Sequence, residues 1–282
     1  MRYADYHVHP GYSKDASGSI REYSERAVEI DLQEICFTPH LDIDPEREQL
    51  DDWIRVGGKV VSMRSDWLTH YLNEAEELRD EFESKGLKLR VGIEVDYAPH
   101  VENELREIIS EHPFDYVLGA VHCLDHIAIS SSAESARYFK GKSLDEVLTR
   151  YFSSLSQAVS SGLFDCIAHF DGYRKYGLRH FGAEILSPPR DLVEPVLRLM
   201  MVEEVGLEIN TSAFRHGQEE PYPGKVILTW AKEIGVPVLA CGSDCHSVKD
   251  LGENLPEAQR ILKELGFPRP SSLKRTKVGS VR

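Results

Sequence analysis

The sequence has few cysteines, and they show no pairing pattern. Its five cysteines form no Cys-x-x-Cys pair and are odd in number, which disfavours both a zinc ribbon and a disulfide framework. We therefore expect reduced thiols. Cys123 and Cys245 stand next to histidines in the sequence, and we interpret them as small buried residues rather than ligands.

Long apolar runs are also missing. No stretch approaches the roughly 18 to 20 apolar residues that a membrane-spanning helix needs. The N-terminal sequence MRYADYHVHP lacks the basic and then apolar pattern of a secretory signal. These two absences predict a cytoplasmic protein that does not contact a membrane.

Positive charge is scarce: 33 lysines and arginines stand against 47 acidic residues, for a formal net charge of -14. Such a surface repels a nucleic-acid backbone, and the one basic cluster is the short tail Lys274, Arg275, Lys277 and Arg282. We therefore predict no nucleic-acid partner. The sequence also lacks a GxSxG elbow and a Walker loop, which leaves no basis for a serine hydrolase or a nucleoside triphosphatase.

The composition is that of a globular protein with one large core. The chain has 282 residues, of which 41% are hydrophobic and 28% are charged. No linker interrupts it, so we predict a single domain over residues 1–268 and a tail over residues 269–282. The sequence gives no basis for an oligomeric state.

Short β-rich runs alternate with amphipathic segments along the chain. The seven candidate strands are YADYHVH, EICFTPH, LRVGIEVDY, DYVLGAVH, DCIAHF, GLEIN and VPVLACGSD. Capping boxes at Ser19 with Glu22 and at Ser143 with Glu146 mark helix starts. This alternation predicts a parallel sheet closed or nearly closed into an α/β barrel, with an insertion from about Asp42 to Ser65.

Polar residues end nearly every predicted strand, where the loops of a parallel α/β barrel build an active site. They are His7, His9, His40, Glu94, His122, His169, Asp171, Asn210, Asp244 and His246. A lone histidine is more often a hydrogen-bonded structural residue, but a core has no other ready way to bury so many titratable groups unless metal neutralises them. Imidazole and carboxylate ligands without thiolates suit zinc, iron or manganese.

In their order, these motifs resemble the PHP (polymerase and histidinol phosphatase) superfamily, and within it the histidinol-phosphate phosphatases. The resemblance spans roughly Tyr3 to Phe267. It rests on DYHVH with Ser13 and Asp15 after it, FTPHLD, GIEVDY, LGAVH, IAHFD, EINTSAFRHG and GSDCHS. It implies a distorted (β/α)7 barrel with two to three divalent metals, zinc, iron or manganese.

The resemblance also implies a ligand set. His7, His9, Glu94 and Asp244 would hold the first metal, and Glu94 would bridge to a second metal that His122 and His169 also bind. Asp15, His40 and His246 would hold the third. Many relatives carry histidine at the position of Asp15.

The implied reaction is metal-assisted hydrolysis of a small phosphomonoester, with L-histidinol phosphate as the favoured substrate. Glu94 and Asp171 are the predicted catalytic residues, and either Asp171 or a metal-bound water would donate a proton to the leaving group. Arg174, Lys175 and Arg215 are predicted to bind phosphate oxygens. Glu219 and Glu220, which follow Arg215, would face the ammonium and imidazole of the substrate.

One segment departs from the family pattern. After LGAVH, the histidinol-phosphate phosphatases usually continue with an aromatic residue, leucine and aspartate. This chain has Cys123, Leu124, Asp125, His126 and Ile127 instead, and we expect this segment to line the organic part of the pocket. Three alternatives stay open: a PHP phosphoesterase acting on a nucleotide or another small phosphate, a proofreading or structural PHP module of a polymerase, and a metal-binding protein without catalysis.

Overall fold

A computed structural model describes residues 3–270 of the chain. The twelve strands in this range are β1 (Tyr3–Val8), β2 (Leu32–Phe37), β3 (His40–Leu41), β4 (Ile54–Val56), β5 (Lys59–Val61), β6 (Lys88–Asp96), β7 (Tyr116–Ala120), β8 (Cys123–Leu124), β9 (Ile127–Ala128), β10 (Cys166–Ile167), β11 (Gly206–Asn210) and β12 (Val238–Gly242). The eleven α-helices in the same range are α1 (Ile20–Glu29), α2 (Glu48–Asp51), α3 (Trp67–Ser84), α4 (Glu102–Glu111), α5 (Ser135–Phe139), α6 (Leu144–Ser160), α7 (Arg174–Phe181), α8 (Arg190–Val202), α9 (Ser212–Arg215), α10 (Lys225–Ile234) and α11 (Leu255–Glu264). Short 3-10 turns cover Pro45–Arg47, Pro99–Val101, Gly182–Leu186 and Val248–Asp250.

Seven parallel strands form the barrel wall in the order β1, β2, β6, β7, β10, β11 and β12. Each of them overlaps one of the seven predicted strand segments, in chain order. The wall closes where the segment after β12 meets β1: the amide of His9 donates to the carbonyl of Cys245 (3.0 Å), and the amide of Asp244 donates to the carbonyl of His7 (2.8 Å). The predicted nearly closed (β/α)7 barrel is confirmed.

The apolar core has two parts. The larger part lies between the sheet and the helices that cover it, and α6 contributes Val147, Tyr151 and Leu155 to it. The smaller part comes from β1, β2, β7, β10 and β12, and its buried residues are Tyr6, Cys36, Tyr116, Leu118, Ala120, Cys166, Ala168 and Ala240. Because these residues meet from non-neighbouring strands, they fill the barrel interior.

Local sequence signals set the starts of two helices. Ser19 precedes α1 and Ser143 precedes α6, and each side chain accepts from the backbone amide three residues on while the glutamate there accepts from the serine amide. Both predicted capping boxes are therefore present. They satisfy donors that would otherwise have no partner at the helix N-termini.

The predicted insertion after the second strand is also present. It contains a 3-10 turn, α2 and the antiparallel hairpin β4–β5. The amide of Arg55 donates to the carbonyl of Tyr12 (2.9 Å), which ties the hairpin to the loop after β1. The insertion thereby forms part of the wall above the carboxyl ends of the barrel strands.

The predicted tail, residues 269–282, lies outside the described residues except for positions 269 and 270. The boundary at 268 therefore stays a prediction. Among residues 3–270, no helix has the length and apolar character that crossing a membrane requires.

Candidate metal centre

All nine predicted metal ligands lie together at the carboxyl ends of the barrel strands, and Glu94 is at their centre. Its Oε1 is 2.9 Å from His169 Nε2, 3.3 Å from His7 Nε2 and 3.5 Å from His122 Nε2. Its Oε2 is 2.9 Å from His40 Nδ1 and 3.6 Å from His9 Nε2. This one carboxylate therefore contacts five histidines that arrive from four segments of the chain.

Two further carboxylates flank this cluster. Asp244 Oδ1 lies 3.3 Å from His9 Nε2 and 3.6 Å from both His7 Nε2 and His246 Nδ1. Asp15 lies on the other side, with its carboxylate oxygens 3.4 Å from His246 Nε2 and 3.8 Å from His40 Nε2. The contacts thus form overlapping groups that could hold more than one ion.

Several atoms of the cluster are buried without a hydrogen-bond partner among the described residues. They are His7 Nε2, both ring nitrogens of His9, His40 Nδ1 and Glu94 Oε2. Burying polar atoms in this way is costly unless something else satisfies them. Divalent cations would satisfy His7 Nε2, one ring nitrogen of His9, His40 Nδ1 and Glu94 Oε2, so the residues present fit a multinuclear metal site.

The charged neighbours in the cluster shift the pKa values of Glu94 and His7 in opposite directions. Burial alone would raise the pKa of Glu94, but His7, His122 and His40 hold that pKa well below its usual range. Burial would lower the pKa of His7, yet Glu208, Glu94 and Asp244 raise it well above its usual value. Glu94 therefore stays ionised, which is the state that binds a metal ion.

Sequence reasoning missed Glu208, a fully buried carboxylate in β11. Its Oε1 is 2.7 Å from His7 Nδ1, and its Oε2 accepts from the amide of His169 (2.8 Å). Asn210 Nδ2 donates to Glu208 Oε2 (3.1 Å) and to Asp244 Oδ2 (3.3 Å). A proton on His7 Nδ1 would leave Nε2 free to bind metal, so the contact with Glu208 suits His7 as a predicted ligand.

A signal for Glu208 was present in the sequence. Glu208 and Asn210 are two residues apart on one strand and therefore point to the same face. An acidic residue inside an apolar strand requires a partner when it is buried. In the strand GLEIN, Glu208 and Asn210 thus point together toward the predicted ligands.

Two ligands have backbones in the left-handed region, His169 at φ 26° and Asp244 at φ 51°. Such backbones are uncommon outside glycine and persist where the surroundings hold them. The hydrogen bond from the His169 amide to Glu208 and that from the Asp244 amide to the His7 carbonyl supply this support.

Arg174 and Arg215, which are predicted to bind phosphate, contact other parts of the protein in the structure. Arg174 is buried and donates to Asp171 Oδ2 (2.7 Å) and Gln218 Oε1 (2.7 Å). Arg215 donates to the carbonyls of Ser243 (2.6 Å) and Asp244 (2.7 Å). Neither guanidinium lines the cavity above the metal ligands, because both are engaged in holding loops of the protein together.

The predicted proton donor Asp171 and the predicted rim carboxylates Glu219 and Glu220 do not line the cavity either. Asp171 is buried, and its Oδ2 accepts from Arg174 and from the amide of Gly224 (2.9 Å), away from the cavity. Glu219 is exposed, and Glu220 accepts from the amide of Lys225 (3.0 Å). Of the predicted substrate contacts, only Lys175 lines the cavity.

A cavity of about 360 Å³ opens above the metal ligands. Its wall contains Cys123 and residues 128–132, whereas residues 124–127 do not line it, so of the predicted segment only Cys123 faces the cavity. Cys245 is fully buried, as predicted, but Cys123 is only partly buried. Three cationic side chains, Lys14, Arg47 and Lys175, face seven carboxylates across the cavity.

A model of the PHP domain family matches residues 5–212. The chain belongs to the PHP domain family. The probable histidinol-phosphatase of Deinococcus radiodurans is 28% identical to it over 262 residues, which are 93% of each chain. The histidinol-phosphatase of Lactococcus lactis is 25% identical over 268 residues, 95% of this chain and 93% of that one.

A solved structure shows the same fold. It is the histidinol phosphate phosphatase of Lactococcus lactis in complex with zinc, L-histidinol and phosphate, which superposes with a TM-score of 0.78 at 22% identity over 97% of both chains. This PHP protein therefore has the barrel that the sequence motifs predict.

Proposed function

We propose that this protein is a metal-dependent phosphomonoesterase that hydrolyses L-histidinol phosphate to L-histidinol and phosphate. The observation that carries the proposal is the convergence of nine metal-ligating side chains around Glu94 at the floor of a substrate-sized cavity. The histidinol-phosphatase relatives, and a structural neighbour solved with zinc, L-histidinol and phosphate, support the same substrate.

The ligand roles belong to this proposal. His7, His9, Glu94 and Asp244 would hold one ion, Glu94, His122 and His169 a second, and Asp15, His40 and His246 a third. When bound, such ions lower the pKa of water to make a nucleophile and neutralise charge on the phosphoryl oxygens. Glu208 and Asn210 hold the ligands in position, which lowers the reorganisation needed during the reaction.

Lys175 is the cavity cation best placed to bind a phosphate oxygen. Lys14 pairs with Asp51, and Arg47 pairs with both Asp51 and Glu134. Lys175 makes no ion pair with any carboxylate in residues 3–270, so its charge is available to an incoming anion.

The acidic wall fits the organic part of histidinol phosphate, which carries an ammonium and an imidazole. Asp51 and Glu134 are already paired with cationic side chains. Asp42 and Asp96 line the cavity and form no salt bridge with a lysine or arginine of residues 3–270, although Asp42 is close enough to Lys14 to raise the pKa of that ammonium. Burial raises the pKa of Asp96 to about 6, and its Oδ1 accepts from the amide of His122 (2.7 Å). Asp42 is therefore the wall carboxylate best placed to bind a substrate cation.

Steady-state kinetics on metal-reconstituted protein test the proposal. We expect a higher kcat/KM for histidinol phosphate than for p-nitrophenyl phosphate, adenosine monophosphate or glucose 6-phosphate. Asp42→Asn should raise KM for histidinol phosphate by about tenfold, the value of roughly one charge-assisted hydrogen bond, with little change for p-nitrophenyl phosphate. Asp80→Asn, an exposed aspartate on α3, is the matched control.

The outcomes separate the alternatives. Equal efficiency across the panel, or a preference for the nucleotide, would reject histidinol phosphate and favour another PHP phosphoesterase. No turnover of any phosphomonoester with zinc, manganese and iron would favour a noncatalytic or accessory role. A cytoplasmic location and the lack of a nucleic-acid partner stay predictions from the sequence.

A further inference from the structure

A second group of metal-ligating side chains lies outside the barrel centre. Asp44 Oδ1 is 2.8 Å from His100 Nε2, and Asp44 Oδ2 is 2.7 Å from His126 Nδ1. The two imidazole rings are 5.1 Å apart between centroids. One ligand atom from each residue lies within 4.8 Å of the others, so the three side chains form one compact group of possible ligands.

The three side chains come from three different loops at the rim of the cavity. Asp44 follows β3, His100 lies in the 3-10 turn after β6, and His126 is at the tip of the β8–β9 hairpin after β7. β3 and β7 both pair with β6 in a parallel manner. The carboxyl ends of these strands therefore meet at one edge, and the loops that leave them can share an ion.

Backbone contacts hold two of these residues in place. Asp44 Oδ1 also accepts from the amide of Glu46 (3.0 Å), which caps the 3-10 turn Pro45–Arg47. Arg47 Nη1 donates to the carbonyl of His126 (2.8 Å) and thereby joins the first loop to the third. His126 has a left-handed backbone (φ 60°), which turns the hairpin tip toward Asp44. The site is thus largely preformed.

The donor set suits a transition metal. Two imidazoles and one carboxylate without thiolate or carbonyl ligands favour zinc, iron, manganese or nickel over calcium. The Asp44 side chain is 11% exposed, whereas His100 and His126 are 38% and 45% exposed. Three protein ligands and open positions toward solvent would let water complete the coordination.

We propose that Asp44, His100 and His126 form a separate binding site for a divalent transition metal, zinc in the first instance, which ties together three loops at the rim of the cavity. The site does not depend on the reaction at the barrel centre, because none of its ligands contacts Glu94. A bound ion would fasten the β8–β9 hairpin to the loop that carries Asp42 and Arg47, two residues of the cavity wall.

Zinc stoichiometry tests the proposal directly. The full-length wild type and its variants are stripped of metal, equilibrated with zinc at a fixed low free concentration, and analysed by plasma mass spectrometry. We expect Asp44→Asn, His100→Ala and His126→Asn each to bind one zinc ion fewer per chain than the wild type. Asn at position 44 keeps a capping oxygen, and Asn at position 126 tolerates a left-handed backbone, so these two variants preserve the local fold.

The control is His70→Ala, which removes an exposed histidine from α3, away from the rim. It should bind as much zinc as the wild type. As a second readout, added zinc should raise the Tm of barrel-loaded wild type, and this rise should be absent from the three rim variants. Unchanged zinc content in the rim variants, or an equal loss in His70→Ala, would overturn the proposal. Either outcome would mean that His100 and His126 only form hydrogen bonds with Asp44 and bind no metal ion there.

Discussion

The floor and the wall of the cavity are built in different ways. The floor consists of side chains at the ends of barrel strands, and one carboxylate, Glu94, contacts five histidines there. The wall consists of loops whose charged side chains pair with each other, as Arg47 does with Glu134. Strand ends are held by the sheet on both sides, whereas the loops are held by their own side chains. From this comparison we expect that the barrel strands position the predicted metal ligands and that the loops select the substrate.

A substitution in the floor of the cavity should have the largest effect on metal content and activity. Glu94→Gln keeps the size of the side chain but removes the charge that five imidazoles face, so it should lower metal content and reduce kcat by about 10³-fold or more. Metal analysis and single-substrate kinetics measure both. Glu74→Gln, which changes a glutamate that bonds Tyr12 outside the site, is the control. Near-normal turnover with full metal content would show that Glu94 is not the central ligand.

The layer behind the floor should show the next largest effect. Glu208→Gln weakens the contact that orients His7, and we expect metal affinity or activity to fall by about 10- to 100-fold, because outer partners of ligating histidines typically contribute this much. The matched variant is Glu34→Gln, which changes another buried glutamate that pairs with Arg90 on a barrel strand.

Glu34→Gln should lower the free energy of unfolding while the metal affinity of the folded protein stays near that of the wild type. Denaturant unfolding and zinc titration distinguish the two variants. If both lost stability equally and neither lost metal affinity, Glu208 would be a structural charge and not a positioning residue.

The smallest expected effect separates two cations that the sequence alone treats as equivalent. Lys175→Met should raise KM for phosphomonoesters by about 5- to 20-fold without changing stability, since it removes an unpaired cation from the cavity. Arg215→Met should lower the free energy of unfolding by about 1–3 kcal/mol, because the carbonyls of Ser243 and Asp244 lose their donors. A selective rise in KM for Arg215→Met at unchanged stability would restore its interpretation as a phosphate ligand.

Much of the floor could be predicted from the sequence, and the physical reason is local. Strand runs with period two and helix starts with capping boxes locate the elements, and in a parallel barrel every strand ends on the same side. Histidines and carboxylates at strand ends are therefore brought to one side of the barrel, although Asp171 contacts Arg174 and the amide of Gly224 there and not the histidines. This reasoning located His7, Glu94, His122 and His169 without knowledge of any contact between them.

The partners of the remaining side chains were decided by tertiary structure. An arginine side chain is long enough to contact any of several acceptors. Arg215 donates to carbonyls 28 and 29 residues away along the chain. The group formed by Asp44, His100 and His126 depends on a contact between Asp44 and His126, which are 82 residues apart. Both residues lie in loops, whose conformations no periodic sequence pattern predicts. The sequence by itself thus determined the barrel and the polar strand ends that come together in it. Only the packing of loops decided which charges line the cavity, because a loop takes its conformation from the contacts that it makes.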